Sequence, residues 1–511
     1  MDLTASPLPL PAAERLAGMR RGIEKESLRT DADGRLAMSP HPVALGAALT
    51  HPCITTDFSE SQLELITAPH AHVDECLAEL RRIHQFTCRE IGLEQLWVAS
   101  MPCGLPGDDT IPIGRYGSSN IGRMKSVYRT GLGHRYGRRM QTISGIHYNW
   151  SLPGLRNDDY LALIRNFRRH AFLLLVLFGA SPALCTTFLD GRAQGLQPLG
   201  RGSLYRPHAT SLRMGRLGYQ SDAQAALAVS YNNLESYAAS LQQAMTTPYP
   251  PYEAIGLFDA TGNYQQLATS LLQIENEFYG TIRPKRSIHR GERPLHALRE
   301  RGIEYVEVRC MDLDPFEPVG IAASTMRFID VFLLHCLLAP SPPDTPDEAA
   351  ALARNQQLVA AEGRRPGLRL ERPDGRGDES MVDWGTRLLD GCLPLAVALD
   401  ELPGDGGHVA AVQDAMASLA ALERTPSARV LTAIADEHDG IYVHFIREQS
   451  ARLRREVLGW AWDDATAEHF RRLARVSIDE QMAREADDDM PFETFRQHYL
   501  SPERLWPSQT G

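Results

Sequence analysis

Apolar side chains recur every three to four positions over residues 73–91, where Val73, Leu77, Leu80 and His84 share a face uninterrupted by Gly or Pro. That spacing predicts a helix. A period of two replaces it over 141–152: Gln141, Ile143, Gly145, His147 and Asn149 fall on one side, and Thr142, Ser144, Ile146, Tyr148, Trp150 and Leu152 on the other. This predicts a strand. The same alternation runs from Gly22 to Arg29, ahead of the turn Asp31-Ala32-Asp33-Gly34, and again over 303–309. Helices are expected over 158–178 and 222–245, the second stopped by Pro248, Pro250 and Pro251. The Gly-, Ser-, Tyr- and Arg-rich stretch 101–139 reads as a long loop over a site.

Beyond Ser341-Pro342-Pro343 the pattern turns helical, near 347–362, 382–401, 409–424 and 444–494. The expected organisation is therefore α+β, with a sheet-and-helix domain over 1–340 and a mostly helical portion, 341–511, packed on it. A chain of 511 residues can bury a large core.

Charge narrows the function classes. The balance of 53 basic against 64 acidic residues gives −11, which argues against an extensive nucleic-acid-binding face. The apolar run from Ala171 to Phe178 is far shorter than the ~20 residues that span a bilayer, and no leader pattern opens the chain, so a cytoplasmic protein is expected. Eight scattered cysteines without a C-x-x-C pair fit reduced, mostly buried thiols.

Two glycine patterns fail as nucleotide motifs. In Gly131-Leu132-Gly133-His134-Arg135-Tyr136-Gly137 the third glycine comes one residue late, and after Gly117 the phosphate-loop positions for Lys and Ser or Thr hold Arg123 and Met124. The strand faces are more informative. Glu24 and Glu26, His147 and Asn149, and Glu307 and Arg309 are alternate residues, so strands of one sheet could turn them toward a common surface. Carboxylates gathered there would repel one another unless cations held them, which outlines a metal and phosphate site. Glu24, Lys25 and Glu26 read equally well as a charged edge strand, Glu64 as the wet side of a two-faced strand, and His147 as a hydrogen-bonded structural residue. Asp57 near a turn joins the acidic candidates; Arg129, Arg213, Lys285, Arg286 and Arg309 could meet phosphate or carboxylate, and Tyr128, Tyr219 and Tyr279 could line a small-substrate pocket.

Many of these residues lie in longer motifs: Gly-Ile-Glu-Lys-Glu-Ser-Leu-Arg at 22–29, Thr-Thr-Asp-Phe-Ser-Glu at 55–60, Met-Gln-Thr-Ile-Ser-Gly-Ile-His-Tyr-Asn at 140–149, Ile-Arg-Pro-Lys-Arg at 282–286 and Gly-Ile-Glu-Tyr-Val-Glu-Val-Arg at 302–309. In this ordered set, which covers about residues 15–340, the chain resembles the proteobacterial glutamate–cysteine ligases. The resemblance implies a curved antiparallel sheet of the glutamine-synthetase-like type with surrounding helices. It implies Glu24, Glu26, Asp57, Glu64, His147 and Glu307 around Mg2+, with Mn2+ as a substitute. Arg213 would take the glutamate α-carboxylate; Tyr128, Leu132, Gln141, Tyr219 and Tyr279 would form the cysteine side, with Asn149 a further substrate contact. Arg129, Lys285, Arg286 and Arg309 would meet ATP phosphates, and Glu307 and Arg309 would carry the chemistry.

The implied reaction joins the L-glutamate γ-carboxylate to the L-cysteine amine through γ-glutamyl phosphate, the first step of glutathione synthesis. The expected partners are these small molecules, with no nucleic acid or membrane, and a monomer is allowed. The alternatives are a ligase using another amine, a metal-dependent hydrolase that activates water, and a non-catalytic binding protein.

Overall fold

Seven strands among the described residues form the central sheet: β1 (Arg20–Thr30), β2 (Ile54–Thr56), β3 (Gln62–Ile66), β4 (Gln95–Leu96), β5 (Ile146–Ser151), β6 (Ile282–Lys285) and β7 (Tyr305–Met311). The computed structural model describes residues 9–189, 195–218, 222–225, 227–404 and 406–506. The strand order is β2-β3-β1-β5-β7-β6, with β4 pairing the far end of β1, and every pairing is antiparallel. The curved sheet implied by the resemblance is corrected here. The sheet is open, ending on β2 at one edge and β6 at the other, and these edges do not pair. Closure would require matched tilt and stagger at both edges. Instead helices cover one broad apolar face.

That face carries Ile23, Leu63, Leu65, Ile146, Tyr148, Trp150, Val306 and Val308, all buried in one core with helices α1 (Val73–Glu90), α3 (Asn157–His170) and α4 (Ala323–Leu338). Alternation then leaves Glu24, Glu26, His147, Asn149 and Glu307 on the opposite face. The edge-strand reading of Glu24, Lys25 and Glu26 fails, because β1 lies between β3 and β5. Lys25 points into the helix-covered side, where its Nζ donates to Ser27 Oγ at 2.6 Å.

Helix α4 is fastened to the sheet by a polar clasp inside the core. Arg21 of β1 meets Asp330 at 2.9 Å, with both side chains almost fully buried, and the Tyr148 hydroxyl donates to the other Asp330 oxygen at 2.8 Å. Asp330→Ala would leave Arg21 as a buried charge without its carboxylate. The expected cost is about 3–5 kcal/mol of unfolding free energy, read as a lower denaturant midpoint.

Several boundaries differ from the periodicity. The stretch 101–139 contains α2 (Asn120–Tyr136), capped by Ser119, whose Oγ accepts from Gly122 N at 3.3 Å. Its glycines mark tight packing. A Cβ at Gly122 would run into the Tyr116 carbonyl, and one at Gly131 into the Gln273 amide. The strand expected over 141–152 begins only at Ile146, after the short helix Arg138–Gln141. Among the described residues the helix expected over 222–245 is Leu234–Thr246, set by Asn233 as N-cap, with the short Asp222–Ala225 before it. The stretch 444–494 is three helices, Tyr442–Gly459, α5 (Asp464–Ala486) and Phe492–Leu500.

The expectation of reduced thiols fails at one pair. Cys103 and Cys185 are disulfide-bonded across a Cα separation of 5.4 Å, although 82 positions apart in sequence, so only the fold brings them together. The other six cysteines are free and buried. Among the described residues no helix is long and apolar enough to cross a membrane.

Candidate active site

Strand pairing assembles the polar face row by row. Glu24 lies opposite His147, Glu26 opposite Glu64, and Asn149 between Gly22 and Glu307, with Arg283 beyond Glu307. Gly22 contributes no side chain to this row. Continuing the pairing of Val308 with Tyr148 sets Arg309 opposite His147, and its Nη1 lies 3.4 Å from His147 Nδ1; the β5–β7 register shifts between Val308 and Met311.

His147 is the hub. Its Nδ1 is 3.1 Å from Glu24 and 3.9 Å from Glu307, while its Nε2 is 3.6 Å from Glu26. Ligand atoms of Glu24, Glu64 and His147 all lie within 4.8 Å of one another. Glu307, only 1% exposed, accepts from Lys285 Nζ at 3.1 Å and from Arg309 Nη1 at 2.9 Å. Glu24 accepts from Asn149 Nδ2 at 3.0 Å, leaving Asn149 Oδ1 buried without a hydrogen-bond donor.

The carboxylates divide electrostatically. Burial pushes Glu307 up, but Lys285, Arg309, His147 and Arg283 outweigh it and hold the group well below the usual carboxylate range. Glu24 also falls below its ordinary value, because the His147 hydrogen bond and the Lys285 charge overcome burial and Glu307. Burial and the Asp57 charge push Glu26 up to about 8, and burial with Glu24, Asp57 and Glu26 drives Glu64 well above its ordinary value. Burial and Arg309 depress His147. One end of the face is thus balanced by fixed cations, while at the Glu26–Glu64 end burial and neighbouring acids outweigh the charges of Arg213, Arg309 and Lys125.

The amino-acid candidates flank this surface. Arg213 is 1% exposed; its Nη2 donates to the Arg309 carbonyl at 3.0 Å and its Nη1 lies 3.8 Å from Asp312. Gln141 donates to the Tyr279 hydroxyl at 2.9 Å, and Tyr279 meets Tyr136 edge-on at 5.6 Å. Tyr279 lines two cavities, one of about 310 Å³ that reaches Arg213 and Arg309, the other of about 760 Å³ that includes Gln141 and Arg135. Tyr128 and Leu132 belong to the adjoining apolar cluster. Arg129 hydrogen-bonds the Asp57 carbonyl and stacks over Tyr116.

Arg286 stands apart from the cluster, donating to the Arg301 carbonyl at 2.8 Å with Glu304 nearby. Tyr219 lies outside the described residues. Sequence reasoning missed Arg283, Lys125 and Asp312. Arg283 is buried opposite Glu307 and shares the face of Lys285 two residues on, a period-two signal obscured by Pro284. Lys125 packs over the Tyr116 ring one helical turn before Arg129, and its charge acts on Glu64. Asp312, just past β7, had no local signal.

A family model described as glutamate–cysteine ligase matches residues 10–359, across all the strands and arginines just described. The chain belongs to the glutamate–cysteine ligase family. A glutamate–cysteine ligase of Saccharophagus degradans is 46% identical over 503 residues, covering 95% of this chain and 94% of that protein. One from Pseudomonas aeruginosa is 48% identical over 495 residues, covering 93% and 92%. The solved glutamate–cysteine ligase of Francisella tularensis, in complex with AMP, superposes with a TM-score of 0.90 at 36% identity, covering 94% of this chain and 97% of that one. A bifunctional glutathione synthetase of Pasteurella multocida shares the fold, with a TM-score of 0.69 at 24% identity over 57% of its length.

Proposed function

We propose that the polar face of the sheet is where this glutamate–cysteine ligase activates the glutamate γ-carboxylate with ATP and passes the acyl group to cysteine. The carrying observation is one continuous surface on which buried acids, the Lys285–Glu307–Arg309 chain and Arg213 adjoin. We assign metal binding to Glu24, Glu26, Asp57, Glu64, His147 and Glu307, phosphate contacts to Arg129, Lys285, Arg286 and Arg309, and substrate contacts to Arg213, Tyr128, Leu132, Gln141, Asn149, Tyr219 and Tyr279. Residues 1–340 hold all of these, and 341–511 act as a helical support.

The residues present fit a divalent cation. Three ligand atoms converge within 4.8 Å, Asn149 Oδ1 is a buried acceptor without a donor, and on Glu64 burial and the neighbouring acids outweigh the Lys125 charge. An oxygen-rich set with one imidazole suits Mg2+ and admits Mn2+. When bound, the metal supplies Lewis-acid neutralisation of ATP oxygens.

This chain's own groups do the remainder. The glutamate γ-carboxylate oxygen attacks the γ-phosphorus, the bond to ADP breaks, and γ-glutamyl phosphate forms; the cysteine amine then attacks the acyl carbon, loses a proton and expels phosphate. Arg309 and Lys285 place fixed positive charge beside the transferred phosphoryl group, where charge develops. Arg213 holds the amino-acid end so that the γ-carboxylate is presented in line.

The test measures ADP release with glutamate alone, then with cysteine and with other amines, identifying each product by mass. Cysteine-dependent ADP release with γ-glutamylcysteine as product is expected. Glutamate-dependent phosphate release indifferent to cysteine would point to another acceptor, and product without ATP to hydrolysis.

Metal binding should be proton-linked. With Glu26 raised to about 8, the metal-free site holds a proton at neutral pH that a cation must displace. The half-saturating Mg2+ concentration is therefore expected to rise as pH falls below 8, approaching roughly tenfold per pH unit for one displaced proton. Calorimetric titrations in two buffers of different ionisation enthalpy count the protons released; a pH-independent midpoint would remove Glu26 from the metal site.

A further inference from the structure

Gly145 touches both halves of the site, and its lack of a side chain has no backbone explanation. Its φ is not positive, so an alanine there would be conformationally ordinary. Toward the metal half, its N–H donates to Glu26 Oε2 at 2.7 Å, while its carbonyl accepts from Glu26 N at 3.0 Å. Toward the amino-acid half, the Arg213 guanidinium lies against its Cα. A methyl group at Gly145 would sit 2.8 Å from Arg213 Nε and closer still to Cζ and Nη2.

A flexible arginine on a surface could swing away from such a methyl. Arg213 has little room to do so. It is fully buried, its Nη2 is bonded to the Arg309 carbonyl at 3.0 Å, and its Nη1 faces Asp312 at 3.8 Å. Asp312 is itself fixed, accepting from Ser181 Oγ at 2.6 Å, Ala180 N at 2.8 Å and Ser211 Oγ at 3.0 Å.

We infer that Gly145 is a positioning residue that sets the separation between the Glu26 carboxylate and the Arg213 guanidinium, and with it the alignment of glutamate against the phosphoryl donor. This rests on the reading that Arg213 receives the glutamate α-carboxylate. Glu26 and Arg213 share the same glycine, one through its backbone N–H and the other through the space its missing Cβ leaves.

The test is a double-mutant cycle on steady-state kinetics with the full chain. Gly145→Ala is expected to raise the KM for glutamate roughly 10- to 100-fold, the scale of a misplacement near 1 Å, with a smaller change in the KM for ATP. In an Arg213→Ala background the same glycine substitution should add little, because the group it displaces is gone. Equal effects in both backgrounds would overturn the inference, since a merely structural glycine behaves that way. An unchanged glutamate KM in Arg213→Ala alone would instead remove Arg213 from glutamate recognition, and the inference with it.

If Gly145→Ala does not fold, pairing it with Arg213→Lys, whose narrower head leaves room for a methyl, should restore a folded protein by thermal melting. Failure of that pair to fold would show that the glycine serves something other than Arg213.

Discussion

Glu307→Gln is expected to lower turnover by more than ~100-fold at saturating Mg2+ while the protein remains folded. The substitution keeps the shape of the side chain and removes its charge. Glu307 accepts from Lys285 at 3.1 Å and Arg309 at 2.9 Å and lies 3.9 Å from His147, so the neutral amide removes the carboxylate charge that both cations meet and a proposed metal ligand in one step. Those cations hold the carboxylate well below its usual range, so the native group is charged throughout the neutral region and the variant is not. The measurement is initial-rate ADP release over a Mg2+ series, with a thermal melt as folding control. Turnover near that of the unaltered protein would take Glu307 out of the site.

Arg309→Met is expected to reduce kcat by about 10²- to 10³-fold, the scale of losing a charge-stabilising donor in a water-poor site. Arg309 approaches Glu307 and His147 through Nη1, while its backbone carbonyl holds Arg213. Met preserves that carbonyl and most of the side-chain volume, so the loss falls on the phosphoryl-transfer end. Arg309→Lys should recover only part of the rate, because an ammonium lacks the planar fork of donors. Single-turnover formation of ADP with glutamate and no cysteine isolates the step; an unchanged rate there, with slowed product formation, would move Arg309 to the acyl-transfer half.

The two strands richest in site residues were legible because a two-residue period is a local property. Glu24 and Glu26 must share a side if 20–30 is a strand, and so must Glu307 and Arg309. The helix over 73–90 was legible for the same reason at its own period. Helix α2 was not, because Gly122 and Gly131 are there to admit the Tyr116 carbonyl and the Gln273 amide, neighbours that no local window contains. Arg283 was lost behind Pro284, a residue tolerated here because β6 is an edge strand.

By itself, then, the sequence determined which residue types exist in which alternation, the family they belong to, and that carboxylates, an imidazole and guanidiniums of the right kinds are available. Tertiary structure alone decided that β1 is central, which turned Glu24 and Glu26 from a possible edge protection into members of a half-buried cluster. It also decided that the sheet is open, that Cys103 meets Cys185, and that Gly145 lies between Glu26 and Arg213. The reason is one of range: backbone periodicity is set by neighbours a few residues away, whereas burial, register and the charge around a carboxylate depend on segments more than a hundred residues apart in the chain.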